Sequence, residues 1–308
     1  MAFTAKDVQN LREKTGVGMM DCKKALVEAD GDFDKAMDIL REKGLASAAK
    51  KASRVAAEGV VVAYNDKANK VGVLVEVNCE TDFVAKNPEF VALANTVAKT
   101  VAEKNPADMD ALNAAIIADG NVTVAEAVQE LFLKIRENMS VRRFVRVEGV
   151  VETYIHAGGS VGVMVEFAAD DAAASNAGFE AMGKDVAMQV AAMNPQYLDI
   201  ASVPAEVVEK EKGFMISQMK EDPKMANKPE AVLGKIVDGK IAKFYKEICL
   251  TEQAFVKDGD VNVAKYVANC AKEMGGEVSI KGFTRFARGE GIEKKADDFA
   301  AEIASMVK

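Results

Sequence analysis

The sequence predicts an α+β fold with a small helical bundle at the N-terminus, two related hairpin-and-helix units, an antiparallel helical hairpin (coiled coil) and a C-terminal helical module. Three observations predict it: apolar residues at helical spacing in the first 44 residues, an internal duplication in the middle, and two apolar helical stripes around a polar tip after residue 204. With 308 residues, 49% of them hydrophobic, the chain is long enough for about two domains.

Composition excludes several classes of function. The net charge of −8 disfavours sequence-independent nucleic-acid binding, and the single histidine excludes histidine-rich metal sites. The four cysteines form no CxxC motif, so we expect no zinc or redox site and a reducing compartment. No signal-like or membrane-spanning apolar run occurs. We therefore expect a cytoplasmic protein with no cofactor, no metal and no nucleic-acid or membrane partner.

The first 44 residues predict three short helices. Thr4 is a candidate N-cap, the glycines of TGVG (residues 15–18) break the pattern, and Gly44 occupies the place of a helix-terminating glycine. Val17, Met19 and Met20 lie at the turn after the first helix. Two interpretations stay open: the methionines belong to the core, or they form the exposed face of a docking module.

The alanine-rich segment 45–57 carries Lys50, Lys51 and Arg54 and predicts a helical connector with a solvated basic face. Contact with nucleic acid is the alternative for this segment.

The most informative feature is a duplication. Residues 58–76 align without gaps with residues 148–166, and 10 of the 19 positions are identical. Each copy has two β-branched runs around a polar turn, which indicates a β-hairpin, and a helix follows each hairpin. Both helices are expected to end at an Asn-Pro pair, at residues 105–106 and 194–195. Two related α+β units that cover each other's sheets are therefore expected.

The two copies differ directly after their hairpins. The first has NCETDFVA at residues 78–85, and the second has AADDAAAS at residues 168–175. Residues that only closed the fold would be expected in both copies. The asymmetry indicates a specific role for Thr81, Asp82, Phe83 and Val84. The alternative is that Phe83 fills the core of the first unit.

The last third of the chain predicts two antiparallel helices and a mixed tail. Apolar stripes that include Phe214 and Met219, then Ile241 and Phe244, flank a turn over residues 221–229. A helix over residues 261–276, a strand over residues 278–286 and an amphipathic helix over residues 297–307 follow.

No nucleophile elbow, phosphate-binding loop or dinucleotide motif occurs in the sequence. His156, at the tip of the second hairpin beside two glycines, is expected to be an exposed contact residue rather than a catalytic base. We therefore expect an interaction protein with no catalytic residues.

Three motifs resemble the bacterial elongation factor Ts family: TGVGMMDCKKAL at residues 15–26, EVNCETDFVA at residues 76–85 and GEGIEK at residues 289–294. The resemblance implies a ubiquitin-associated-like N-terminal domain and a two-part core. The expected division is a docking domain and connector (1–55), core subdomain N (56–140), core subdomain C (141–200 and 249–283), a coiled coil (201–248) and a C-terminal module (284–308).

The resemblance also implies a partner, elongation factor Tu, and an activity, the exchange of its bound guanine nucleotide. Thr81, Asp82, Phe83 and Val84 would insert into the G domain of the partner and displace its Mg²⁺. Val17, Met19 and Met20 would dock on the same domain, and His156 would touch another part of the partner, such as a second domain. An RNA-binding or ubiquitin-like adaptor built on residues 1–57 is the competing class of function.

Overall fold

The structure is a computed structural model that describes residues 3–221 and 230–293. Helices combine with small antiparallel sheets, which is compatible with the predicted α+β class. The N-terminal bundle consists of α1 (Ala5–Thr15), α2 (Met19–Glu28) and α3 (Phe33–Lys51). Thr4 caps α1 in a capping box with Asp7, as its position predicted, and Gly16 ends the helix with a left-handed φ of 68°.

The prediction that Gly44 ends the third helix is wrong. α3 continues through Gly44 to Lys51, and Gly44 is buried against Leu133. A β-carbon on Gly44 would lie 1.8 Å from Leu133 Cδ2, so glycine permits close packing here instead of terminating the helix.

The first unit contains a three-stranded antiparallel sheet with the order β1-β2-β3 and the helices that pack on it. Its strands are β1 (Glu58–Asp66), β2 (Val71–Cys79) and β3 (Met139–Glu148). Its helices are α4 (Asp82–Ala85), α5 (Pro88–Lys104), α6 (Met109–Ala114) and α7 (Val124–Ile135). The predicted hairpin is confirmed, and Asn87 caps α5 through its side chain.

The second unit repeats this arrangement with the strand order β4-β5-β8. Its sheet comprises β4 (Val150–His156), β5 (Val161–Ala169) and β8 (Val278–Ala287). Its other elements are α8 (Asp171–Ala174), α9 (Ala177–Met193), β6 (Ala254–Phe255), β7 (Asp258–Asn262) and α12 (Val263–Met274). α5 and α9 both end at a left-handed asparagine, Asn105 and Asn194, as the two Asn-Pro pairs predicted.

Two strands extend across the subdomain boundaries expected after residues 140 and 283. β3 pairs with β2 along its whole length, so the first sheet extends past residue 140 to Glu148. β8 likewise continues past residue 283 to Ala287 and belongs to the second sheet.

The helical hairpin consists of α10 (Ala205–Glu221) and α11 (Glu230–Ile248), which pack around Met219, Val237 and Ile241. Phe214 does not join this contact as its stripe predicted, since 63% of its surface is exposed. Most of the predicted turn at residues 221–229 and the predicted final helix at residues 297–307 lie outside the described residues.

The two sheets pack closely because glycines replace side chains where they meet. A β-carbon on Gly162 would lie 2.4 Å from Val61 Cγ1, and one on Gly72 would lie 2.5 Å from Val151 Cγ2. The Val61 amide also donates a 2.8 Å hydrogen bond to the Gly159 carbonyl. Both faces of β2 are consequently buried, one by α5 and the other by the second sheet.

A fully buried carboxylate, that of Glu76 on β2, adds a polar link between the units. It accepts hydrogen bonds from Arg143 Nε at 2.6 Å, Asn78 Nδ2 at 3.1 Å and the Gly289 amide, just beyond β8, at 2.7 Å. Burial by itself would raise the pKa of Glu76, but these donors outweigh it and hold the pKa below its ordinary value.

Glu76→Gln should lower the free energy of unfolding at pH 7 by about 2–4 kcal/mol, because Arg143 and Arg142, which pairs with Glu76 at 3.1 Å, lose their buried counter-charge. The folded-state pKa of Glu76 lies below its unfolded value near 4.5. The stabilisation is therefore present above that value and is lost as the pH falls through the folded pKa. Urea unfolding between pH 7 and pH 3 should show a shallower acid dependence for the variant than for the parent. Parallel profiles would contradict this role.

Candidate functional site

Phe83 projects from the single-turn helix α4, which directly follows β2. Its side chain is 82% exposed, the largest exposure of any bulky apolar residue in the described part of the chain. The next two residues, Val84 and Ala85, are buried at 8% and 3% exposure and attach the helix to the first unit. The alternative that Phe83 fills the core is wrong, because the core is closed without it.

The second unit provides an internal comparison for α4. α8 follows β5 as α4 follows β2, and Ala173 is buried as Val84 is. β5 and α8 are separated by one residue, whereas β2 and α4 are separated by two, so the structural partner of Phe83 is the exposed Ala172. The ungapped sequence alignment had paired Phe83 with Ala173. The same local fold therefore forms without an aromatic side chain.

Asp82 is the first residue of α4 and is half exposed. Its carboxylate accepts a hydrogen bond from Lys86 Nζ at 2.7 Å, one helical turn later. This contact with Lys86 holds the pKa of Asp82 below its ordinary value, so the site presents a carboxylate at neutral pH.

Thr81 is the N-cap of α4, and its hydroxyl accepts a 3.4 Å hydrogen bond from the Val84 amide. Thr81 also donates twice to Glu137, from its amide to Oε2 at 3.0 Å and from its hydroxyl to Oε1 at 2.8 Å. Glu137 lies in the turn between α7 and β3. Sequence reasoning missed this residue, because it lies 56 positions from Thr81 and the role of β3 as a third strand was not predicted. Pairing the start of β3 with the end of β2 would have found it.

Met19 and Met20 occupy the first turn of α2 and are 40% and 63% exposed. Both side chains are therefore accessible, as the interpretation of an exposed docking face requires. Val17 differs, because its side chain is fully buried in the core of the bundle. Its side chain cannot make the expected partner contact in this structure. It belongs to the same buried apolar cluster as Leu11 and Leu26.

The bundle is attached to the first unit through α7 and the turn that follows it. Asp21 of α2 forms an ion pair with Arg136 at 2.9 Å, and Arg41 of α3 pairs with Glu126 at 2.8 Å. Arg136 and Glu137 are consecutive, so one turn contacts both the helix that carries Met19 and Met20 and the helix that carries Phe83.

His156 is the last residue of β4 and is exposed, as expected. Its Nδ1 lies 3.1 Å from the hydroxyl of Tyr154, and the hairpin turn follows through Gly158 at a φ of 65°. This turn packs on β1 of the first unit, so His156 is held on the second unit near the contact between the sheets.

Across residues 3–221 and 230–293 we find no group of three His, Cys, Asp or Glu side chains arranged to bind a metal ion. The same ranges contain no helix with both the length and the apolar character required to cross a bilayer.

The family model described as elongation factor TS matches residues 80–290, about two thirds of the chain. The chain belongs to the elongation factor Ts family. The match includes α4 with Phe83, the hairpin with His156 and the loop at Gly289.

Several relatives extend the similarity to nearly the whole chain. Elongation factor Ts of Clostridium perfringens is 52% identical over 307 residues and covers 99% of both chains. The corresponding protein of Syntrophotalea carbinolica is 50% identical over 311 residues, and that of Clostridium botulinum (strain Eklund 17B) is 46% identical over 308 residues. These elongation factor Ts relatives also cover the N-terminal bundle, which lies outside the residues that the family model matches.

Phe83→Ala should change the free energy of unfolding by no more than about 0.5 kcal/mol, since the side chain is largely solvated in the folded state. Val84→Ala, its buried neighbour, should cost about 1–2 kcal/mol. Urea unfolding of both variants checks this contrast. A large loss of stability in Phe83→Ala would mean that the aromatic ring supports the fold.

Proposed function

We propose that this protein is a guanine nucleotide exchange factor in translation elongation. It binds elongation factor Tu in its GDP form, disturbs the Mg²⁺ and phosphate site of that partner and promotes GDP release, so that GTP can bind. The observation that carries the proposal is Phe83, an exposed aromatic residue on a capped helix whose counterpart in the second unit is alanine, in a member of the elongation factor Ts family.

An exchange factor acts by binding the nucleotide-free partner more tightly than the nucleotide-bound partner. By linkage, it then lowers the affinity of the partner for nucleotide by the same factor. GTPases hold the diphosphate through a phosphate-binding loop and Mg²⁺, so insertion beside that site weakens both contacts. The factor does not choose between GDP and GTP, because their concentrations decide which one binds next.

In this proposal Phe83 inserts between helices of the G domain, and the neighbouring residues support the insertion. A rigid aromatic side chain that enters a pocket is typical of an interface hot spot. The carboxylate of Asp82 stays charged at the rim of this interface, while Thr81 and Val84 fix α4 to the first unit. The resulting movement of a switch element disrupts the Mg²⁺ site.

Further contacts extend the interface. Met19 and Met20 dock on the same G domain through flexible, polarisable side chains that adapt to an apolar surface. His156 contacts another part of the partner, in keeping with its exposed position at the end of β4. The protein itself performs no chemistry, since the reactive phosphates and the metal ion belong to the partner.

The RNA-binding alternative loses support at the connector. Lys51 donates to the Arg136 carbonyl and its Nζ lies 5.9 Å from the centroid of the Phe132 ring. Arg54 pairs with Glu80 at 3.3 Å. Two of the three basic side chains that motivated the alternative are therefore engaged within the protein.

Phe83→Ala should slow stimulated GDP release by roughly 30-fold at a subsaturating concentration of factor, equivalent to about 2 kcal/mol of interface energy. The measurement follows fluorescent GDP leaving elongation factor Tu. Ile116→Ala, which removes an apolar side chain that is 44% exposed elsewhere on the first unit, is the control and should match the parent. Equal rates for Phe83→Ala and the parent would exclude the insertion role.

Met20→Ala should act on docking rather than on release. We expect the concentration of factor for half-maximal stimulation to rise about fivefold, close to 1 kcal/mol, with an unchanged maximal rate. A titration of factor against the rate of GDP release separates the two quantities. A lower maximal rate with an unchanged half-maximal concentration would argue against a docking role.

A further inference from the structure

We propose that Glu137 is a positioning residue for exchange, which holds Thr81 and thereby fixes the direction in which Phe83 projects from the protein. The inference rests on the proposed function, because it concerns how the inserting residue is oriented. It adds a residue outside the segment that inserts.

The geometry is that of a two-point clamp. The two carboxylate oxygens of Glu137 separately accept the Thr81 amide at 3.0 Å and the Thr81 hydroxyl at 2.8 Å. Because the hydroxyl proton points to Glu137, a lone pair of Thr81 Oγ1 remains available to the Val84 amide, which donates to it at 3.4 Å. Glu137 therefore orders both the backbone before α4 and the cap that begins the helix.

A second carboxylate completes the connection in the opposite direction. Glu80 Oε1 accepts the amide of Asn138 at 2.6 Å. Each of the two neighbouring segments thus presents a carboxylate to a backbone amide of the other. These two reciprocal hydrogen bonds continue the pairing of β2 and β3 beyond its last pair, Cys79 and Met139.

The second unit contains one of these links and lacks the other. Asp170 accepts the Glu277 amide at 2.8 Å, which corresponds to Glu80 accepting the Asn138 amide. From the pairing of Ala169 with Val278, the counterpart of Glu137 is Gly276. A β-carbon on Gly276 would lie 2.4 Å from Asp170 Oδ1 and 2.9 Å from the Ala173 backbone nitrogen, so a side chain there would displace the Asp170 link or the start of α8. The Asp170 link is thus sufficient for the fold, and the Glu137 clamp occurs only in the unit that exposes Phe83.

Loss of the clamp should leave α4 attached through Val84 and Ala85 but free to sample other orientations. Insertion requires one orientation, so the apparent affinity equals the affinity of the correctly oriented molecules multiplied by the fraction of molecules in that orientation. We expect Glu137→Ala to reduce the rate of stimulated GDP release at subsaturating factor by roughly five- to tenfold.

Glu137→Gln is the conservative variant. The amide oxygen of Gln can accept the Thr81 amide, and its NH₂ group can donate to the Thr81 hydroxyl oxygen. We expect its rate within about twofold of the parent. The control Glu148→Ala removes a glutamate from the far end of β3, where it pairs with Arg146, and should leave exchange unchanged.

The test measures release of fluorescent GDP from elongation factor Tu with full-length parent, Glu137→Ala, Glu137→Gln, Phe83→Ala and the double variant Glu137→Ala/Phe83→Ala. Amide hydrogen exchange of residues 81–85 supplies a second readout. We expect faster amide exchange at Thr81 and Val84 in Glu137→Ala and unchanged protection in β2. In the Phe83→Ala background, Glu137→Ala should have almost no further effect on release, because it acts through Phe83.

The outcomes separate the two proposals. An unimpaired Glu137→Ala, a Glu137→Gln as slow as Glu137→Ala, or equal effects of Glu137→Ala with and without Phe83 would overturn the positioning role while leaving the exchange function intact. A Phe83→Ala variant with the parental rate would overturn insertion itself, and the positioning role with it.

Discussion

The buried carboxylate of Glu76 joins parts of the chain that are far apart in sequence. Arg143 of the first sheet and the Gly289 amide, beyond the last strand of the second sheet, both donate to it. A charge without these donors would be costly in this apolar setting. The network consequently requires the two units to be docked, with the chain after β8 against β2. The glycines where the sheets meet also permit this docking, because they leave room for side chains of the other sheet.

The duplicated fold leaves room for a specialised surface on one of its two copies. The scaffold of each unit, with its hairpin, short helix and long helix, is closed by its own buried residues. The exposed positions of the short helix are therefore free to differ between the copies. In the first copy the position holds Phe83, and in the second it holds Ala172. The surface proposed to insert into the partner thus imposes little cost on folding.

Patterns local in sequence predicted much of the molecule. The hairpins, the capped helices and the exposure of His156 follow from alternation, capping residues and glycine turns, and the asymmetry of the repeat identified the segment around Phe83. Features that depend on distant partners escaped prediction. Gly44 occupies the place of a helix-terminating glycine in the local pattern, but its packing partner Leu133 lies 89 residues away, and the burial of Val17 depends on how the bundle closes. Glu137 had no local signal, since its role arises only when β3 pairs with β2.

The proposed function depends on one property, the acceleration of GDP release from elongation factor Tu by this chain. The most direct measurement is the dissociation rate of fluorescent GDP from elongation factor Tu, with excess unlabelled nucleotide, in the absence and presence of the full-length protein. We expect a rate that rises with the concentration of the protein and is the same whether GDP or GTP is the unlabelled competitor. A rate that does not change at any concentration of the protein would contradict it.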